Sequence, residues 1–445
     1  MTTMEWIEPR GPRWFNLRVL AWGFYDCGLT IFSTLVISRY FGPWIIQQLG
    51  GSVFSFNVTL SASMLVSGFL QILLAPISDE LGRRRIFVVF FTCVCAGACA
   101  LLRCVNTSLV AGLALFALAN VGAQTAFVFY NAMLSDVSDA RHRARISGIG
   151  VALGYVGAVL GLALSERVVN AAPEVHIYRP IFPVAALLVF VFALPLFLFV
   201  KEKPGLVRFN LGQSLRSSLG VFVTTLRRVG SHREMMLFFL ACLLCLDAVE
   251  TVKANLALYC QTLVGLDPAR GFDFPLAWKG NVLFRLTLSE INLFIVVSTV
   301  FAIFGAPLVG HISDKTSHYR AMLWVLALWM VALVLAMFSV QRRLFWVTGP
   351  LFGLCFGGMW TVMRAHLLEI CHPEERGQMF AIFGFVGRCA AVIGPLAWGL
   401  TFTQFEPVFG ERKAYRLAIG AILLLMAIGF WIMLYARPRE ARWRR

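Results

Sequence analysis

Ser78-Asp79-Glu80-Leu81-Gly82-Arg83-Arg84-Arg85 decides how this chain is read. It separates two long apolar runs, 55–78 and 86–104. The aspartate ends the first run, and Gly82 permits a sharp reversal of the backbone. The three arginines that follow mark a turn at a membrane face and fix which side that face takes. A related turn, Gly310-His311-Ile312-Ser313-Asp314-Lys315 with Arg320 behind it, lies in the C-terminal part of the chain. An Asp-bearing basic turn after the second span of each half predicts a duplicated six-span bundle.

Composition agrees. The 445 residues are 59% hydrophobic and 14% charged, with mean hydropathy +0.77. Soluble domains carry about 25% charged residues, so the chain is read as an integral membrane protein. Apolar runs of about 20 residues are spanning helices, and the short alternating strands of a barrel are absent from the sequence. Residues 1–16 are polar, which predicts that no cleavable signal peptide precedes the first span. The net charge of +16 is read as a topological signal, arginine gathered on cytoplasmic loops, and not as a nucleic-acid surface, because no soluble basic domain is visible. The 11 cysteines lie mostly within apolar runs, among them Cys93, Cys95, Cys99, Cys242, Cys245 and Cys355. They are read as small packing residues, Cys242-x-x-Cys245 included, with no metal or disulfide role.

Twelve spans are expected: 17–41, 55–78, 86–104, 108–134, 145–168, 181–200, 234–264, 289–312, 321–340, 344–370, 377–403 and 414–436. The fold class is therefore all-α integral membrane, with residues 1–200 and 234–445 as two pseudo-symmetric six-helix halves. Residues 201–233 form a cytoplasmic linker, in which Leu211, Leu215, Leu219, Phe222 and Leu226 recur at helical spacing and predict an amphipathic helix on the membrane surface. An even number of spans puts both termini on one side. With that side cytoplasmic, its loops and tails outnumber the opposite side in Lys and Arg by about two to one. The stretch 265–288 is expected to be the longest extracellular loop. The sequons at Asn57 and Asn106 hug membrane ends and are not read as glycosylation sites.

Ionisable groups in lipid are costly and usually face a cavity or a partner. Here they gather on the first and fourth spans of each half: Asp26; Asn120, Gln124 and Asn131; Asp247, Glu250, Lys253 and Asn255; Arg364 and Glu369. Arg388 adds one charge to span 11. That distribution predicts an aqueous pathway between the halves. Asp26 has no ionisable neighbour in its own helix and is the candidate for reversible protonation. Glu250 and Lys253, at i and i+3, either neutralise one another or act on a solute. Arg388 sits too deep to reach the interface, so it either pairs with a carboxylate such as Asp26 or Asp247 or receives an anionic solute group. Asp26 is also a solute-binding candidate, and Gln124, Asn131, Asp247, Glu250 and Arg364 complete that set. Gly150, Gly154 and Gly161 of span 5, and Gly384, Gly387 and Gly394-Pro395 of span 11, give smooth faces that are candidates for the moving contact between halves. Pro395 is expected to bend span 11.

These residues resemble the major facilitator superfamily. Asp79 to Arg85 is similar to its signature turn between the second and third helices, with Ala75 where a glycine is usual and Glu80 where a basic residue is usual. The resemblance implies a gate motif of Asp79, Gly82 and Arg83, echoed by Asp314. Asp79 would meet the start of span 11 near Arg376-Gly377, and Arg83 would pair with acids on neighbouring spans. A narrower resemblance is to the vacuolar amino-acid effluxers of fungal autophagy and their bacterial relatives. It is carried by Trp22-Gly23-Phe24-Tyr25-Asp26, Tyr130 to Asp136, Ser147-Gly148 with Gly154-Tyr155-Val156-Gly157, and Arg364-Ala365 with Gly387-Arg388 and Gly394-Pro395. It implies efflux of amino acids.

The function expected is thus secondary transport of a small organic solute, with protons as the coupling ion to be tested. No phosphate-binding glycine loop is present for an ATP-driven pump. A transport-inactive receptor would need an extramembrane domain, and an intramembrane enzyme a nucleophile or metal cluster that the seven histidines do not supply. A monomer without cofactor, nucleic acid or metal is expected, its partners being solute, protons and the lipid bilayer. The membrane is the cell membrane in a bacterium, or a vacuolar or other membrane in a eukaryote.

Overall fold

The computed structural model describes residues 16–436 except 82, 138–142, 172–177, 201–219, 221, 222, 225, 228, 267–269, 279, 280, 340, 341 and 372–375. Among the described residues twelve helices are long and apolar enough to cross a membrane. They are α1 Leu17–Gln48, α2 Val53–Leu81, α3 Arg84–Cys104, α4 Leu109–Ala132, α5 Arg143–Asn170 and α6 Ile181–Phe199, followed by α7 Arg233–Val264, α8 Glu290–Lys315, α9 His318–Phe338, α10 Arg342–Ile370, α11 and α12 Glu411–Tyr435. Helix α11 is in two pieces, Arg376–Cys389 and Ile393–Phe409. Capping residues fix several starts: Asn16 accepts from the amides of Arg18 and Val19, and Ser108 and Ser289 open α4 and α8.

Within the first half α1 packs on α5 and α6, α2 on α4, and α3 on α4 and α6. The second half repeats the scheme six helices later: α7 on α11 and α12, α8 on α10, and α9 on α10 and α12. The halves meet along α1 and α7 and along the related pairs α2 with α11 and α5 with α8. A duplicated six-helix bundle is what this pairing describes. Each half holds an aromatic nucleus in the part distant from the termini. Phe41 stacks on Phe116 at 3.9 Å in the first, and Phe294 on Phe345 at 4.9 Å in the second.

Four expectations change. The first span does not end at 41: it continues to Gln48 by winding wider over Phe32–Tyr40, where the Phe41 amide bonds back to Val36. The stretch after α7 is no plain loop, because Gly271–Trp278 (β1) pairs antiparallel with Asn281–Ser289 (β2). The glycines of span 5 face their own half. A Cβ at Gly157 would stand 2.7 Å from Cys27 Cα, one at Gly161 3.2 Å from Ile31 and one at Gly150 2.8 Å from Trp22, all on α1. They let α1 and α5 approach backbone to backbone and are not the moving seam. Finally, α11 does not merely bend: its helix stops at Cys389 and restarts at Ile393, six residues and two residues before the expected kink at Pro395, whose ring excludes a regular turn before it. The amphipathic linker helix lies largely outside the described residues; Gly220, Val223, Thr224, Leu226 and Arg227 within it are helical.

Candidate functional site

An aromatic stack seats Asp26. Trp22 lies on Tyr130 of α4, ring centroids 4.5 Å apart, and donates through Nε1 to the Tyr130 carbonyl at 3.0 Å. Tyr25 also packs on Tyr130, ring centroids 4.8 Å apart and tilted by 32°. Thr92 of α3 gives its proton to Val88 O, so Tyr25 is the donor in its 2.7 Å bond to Thr92 Oγ1. These contacts orient α1 so that Asp26 points at α5, where Gly154 makes room: a Cβ there would stand 3.2 Å from Asp26 Oδ2. The charge that acts on Asp26 from the other half is the Arg364 guanidinium of α10. Arg364 lies 5.6 Å above the Trp360 ring and is exposed to the space between the halves.

Arg388, in the last turn before the break in α11, reaches the first half. Its Nη1 donates to Gln124 Oε1 of α4, and its guanidinium lies 4.9 Å from the centroid of Phe127 on the same helix. Gln124 is held in turn: its Nε2 donates to Asn120 Oδ1 at 3.3 Å, and Asn120 donates to Ser63 Oγ of α2 at 2.7 Å. The expectation that Asp26 or Asp247 occupies Arg388 is corrected by this geometry. A neutral amide and a ring hold it, and Glu250 is the acid that acts on it through space.

Asp247 has other work. Its carboxylate accepts from the amides of Val392 at 3.1 Å and Gly394 at 2.5 Å, capping the second piece of α11 where the break leaves amides open. Glu250 and Lys253 form an i,i+3 ion pair and so neutralise one another. Asn131 is exposed at the end of α4. Of the candidates, then, the fold brings Asp26, Gln124, Arg364 and Arg388 to the space between the halves, turns Asp247 to a helix end and pairs Glu250 with Lys253.

The gate turn is only partly described: Gly82 and the side chain of Asp79 lie outside the described residues. Arg83 and Asp314 are exposed. The pairing expected of Arg83 is made one residue on, by Arg84, which bonds Asp136 at 3.3 Å and the Ala132 carbonyl at 3.0 Å. Sequence reading passed over a buried cluster at the face opposite the termini, Arg39, Tyr40, Glu166 and Asn292, and the mutual bonds of Asn57 and Asn255, at 3.0 and 2.9 Å between α2 and α7. Asn57, buried in that pair, is not available to a glycan. The signal was there in the form of charged residues one to three turns inside a span, but residues so near an end look like interface anchors.

The same geometry has relatives. A protein of Aquifex aeolicus is 24% identical over 429 residues, 96% of this chain and 99% of that protein. The MFS-type transporter YxiO of Bacillus subtilis is 23% identical over 450 residues, 96% of each chain. Autophagy-related protein 22-1 of Penicillium rubens is 22% identical over 294 residues, which span 61% of this chain and 47% of that longer protein. Among solved structures, the nucleoside transporter NupG superposes with a TM-score of 0.69 at 12% identity, covering 94% of this chain and 99% of that one. A bacterial homologue of the human lysosomal transporter Spinster does so at 0.68 and 12%, covering 94% and 95%. The model of the Major Facilitator Superfamily matches residues 27–279 and 272–445. With two six-helix bundles, polar side chains facing one another across the seam and nearly the whole chain matched, this protein belongs to the Major Facilitator Superfamily.

Proposed function

We propose that the protein is a secondary transporter working by alternating access, that its solute is a small organic molecule carrying a carboxylate, an amino acid first among them, and that Asp26 carries the coupling proton. One observation carries this reading. Arg388 bridges the two halves while its partners there are a neutral amide and an aromatic ring. A guanidinium stays charged, and it prefers a bidentate carboxylate to a single amide oxygen. A solute carboxylate therefore competes with Gln124, and its arrival changes what ties α11 to α4.

The proton enters through the second cross-seam pair. Ionised Asp26 on α1 and Arg364 on α10 attract one another across the space between halves. Protonation removes that attraction, so the state of Asp26 changes the energy of bringing the halves together. Solute on Arg388 and a proton on Asp26 thus act on the same seam, the minimum a coupled carrier requires. The direction follows the resemblance to the autophagy-related proteins: export from an interior space, with both termini in the cytoplasm.

Flux into proteoliposomes tests the reading. Purified protein should accumulate a labelled amino acid when a pH difference is imposed. A ligand at 100 times its Kd should stabilise the fold by about 2.7 kcal/mol in a thermal screen. A library of amino and organic acids that neither moves nor stabilises the protein would overturn the assignment.

A further inference from the structure

Two buried ionisable side chains take no part in the site above. Arg39 is 2% exposed and Glu166 4% exposed, and both lie toward the ends of α1 and α5 that are distant from the termini. Arg39 sits in the wide-wound part of α1, where its Nε donates to Asn292 Oδ1 at 2.6 Å. Its Nη1 is buried without a hydrogen bond. Glu166 Oε1 accepts from the Ser289 amide at 2.7 Å and from Asn292 Nδ2 at 2.6 Å. The same Nδ2 donates to Tyr40 Oη at 3.1 Å, and Tyr40 donates to Ser165 at 2.8 Å, whose own proton goes to Leu162 O.

Ser289 and Asn292 open α8, which belongs to the second half. Glu166 belongs to the first. Its carboxylate takes an amide that α8 leaves open and sets a negative charge against the positive end of that helix. The N-terminus of one half is thus capped by the other. Among the described residues the donors to Glu166 and the acceptor for Arg39 come from across the seam, so a small separation of α1 and α5 from α8 breaks these bonds together. Intermediate separations leave a buried carboxylate and guanidinium unsatisfied, which is costly, while full opening lets water take over. The arrangement has two favourable positions, closed and dry or open and wet.

We propose that Glu166, acting through the start of α8 and Asn292, is the positioning residue that holds the face opposite the termini closed during one half of the transport cycle. The proposal rests on the alternating-access reading. Arg39 and the Asn57–Asn255 pair reinforce the same closure, since each ties the first half to the second.

Distance measurement by electron spin resonance on the full chain in nanodiscs tests it, with exposed Cys93 and Cys104 replaced by Ser. One label pair, Thr107→Cys with Lys413→Cys, reads the opposite face; another, Leu17→Cys with Lys315→Cys, reads the terminal face. All four positions are exposed. Glu166→Ala should lower the ratio of closed to open molecules at the opposite face about 30-fold, and Glu166→Gln, which keeps an acceptor oxygen but no charge, about 3-fold. The terminal-face pair should shorten in step. Asn292→Ala should move both distances in the same direction as Glu166→Ala, and the double variant should fall short of the sum of the two, because the side chains bond one another within one network. Unchanged distances in Glu166→Ala would overturn the proposal, as would loosening of the opposite face with no shortening at the terminal face. If Glu166→Ala does not fold, Glu166→Gln and Asn292→Ala carry the test under the same criteria. A wild-type protein that transports solute while these variants keep wild-type distances loses the lock alone; one that moves between two states and carries no solute loses the transport reading alone.

Discussion

Single residues divide here by what their neighbours leave them. Asp26, Arg364 and Arg388 were legible in the sequence because an ionisable side chain deep in an apolar run has few explanations. Asp247 looked the same and is different: two backbone amides use up its carboxylate. Nothing in the residue order around 247 announces that a helix 145 residues later will break beside it. At this scale Arg388→Lys is the informative variant. Lysine keeps the charge and loses the fork, so solute affinity should fall at least about 10-fold in a binding titration, one bidentate contact being replaced by a point contact. Melting temperature should stay near wild type, since Gln124 and Phe127 accept either cation. Unchanged affinity would return Arg388 to a purely structural part. Asp26→Asn should abolish uphill uptake driven by a pH difference while sparing exchange of labelled for unlabelled solute. Uphill uptake that survives takes Asp26 out of the coupling.

Elements carry the next layer, and α11 is the one that matters most. A sequence reader sees Gly394-Pro395 and expects a bend; the structure interrupts the helix over 390–392 and gives the loose end to α7. A Cβ at Gly394 would fall 2.2 Å from Thr251 Oγ1, so the restart of α11 is pressed against α7 where only glycine fits. Asp247→Ala leaves two amides at that end without an acceptor and should cost about 2 kcal/mol of stability, read as a lower melting temperature. Asp247→Asn keeps one acceptor oxygen and should cost less. An alanine variant that melts with wild type would show that water caps the helix as well. The helix pair α8 and α10 makes the companion case. Cβ atoms at Gly353 and Gly357 would stand 2.1 Å from Ser298 O and 2.2 Å from Ala302 O. Gly357→Val should therefore cost more than the 1–3 kcal/mol typical of an overpacked core, with loss of folded yield as the measurement. Small residues four apart announced close packing in the sequence, but not which neighbour they would meet. The glycines of span 5 suggest the seam between halves, yet their partner is α1 of the same half. Periodicity fixes a face, and only the assembled bundle says what lies against it.

At the scale of the whole molecule the duplication explains why so much was readable. Twelve apolar runs, two similar turns and polar residues recurring on the first and fourth spans of each half specify the architecture with little help from local detail. The same architecture makes sidedness a single binary choice, because an even number of spans puts Leu17 and Tyr435 on one face. Charge decides it. Lys and Arg resist translocation, and they stand about two to one in favour of the terminal face, with the linker 201–233 and the tail after Tyr435 among the richest stretches. Placing that face outward would require carrying most of the chain's basic loops across the bilayer against the membrane potential, at about 2.3 kcal/mol per charge per 100 mV. A single cysteine at 213, in the linker, should therefore resist an impermeant reagent added to intact cells or right-side-out vesicles and react once the membrane is opened. A single cysteine at 272, on the β1–β2 hairpin between α7 and α8, should react in the intact preparation. Labelling of both from one side would break the even count of spans. Labelling with the two sides exchanged would keep the count and reverse the protein in the membrane, and the face that Glu166 closes would then be the cytoplasmic one.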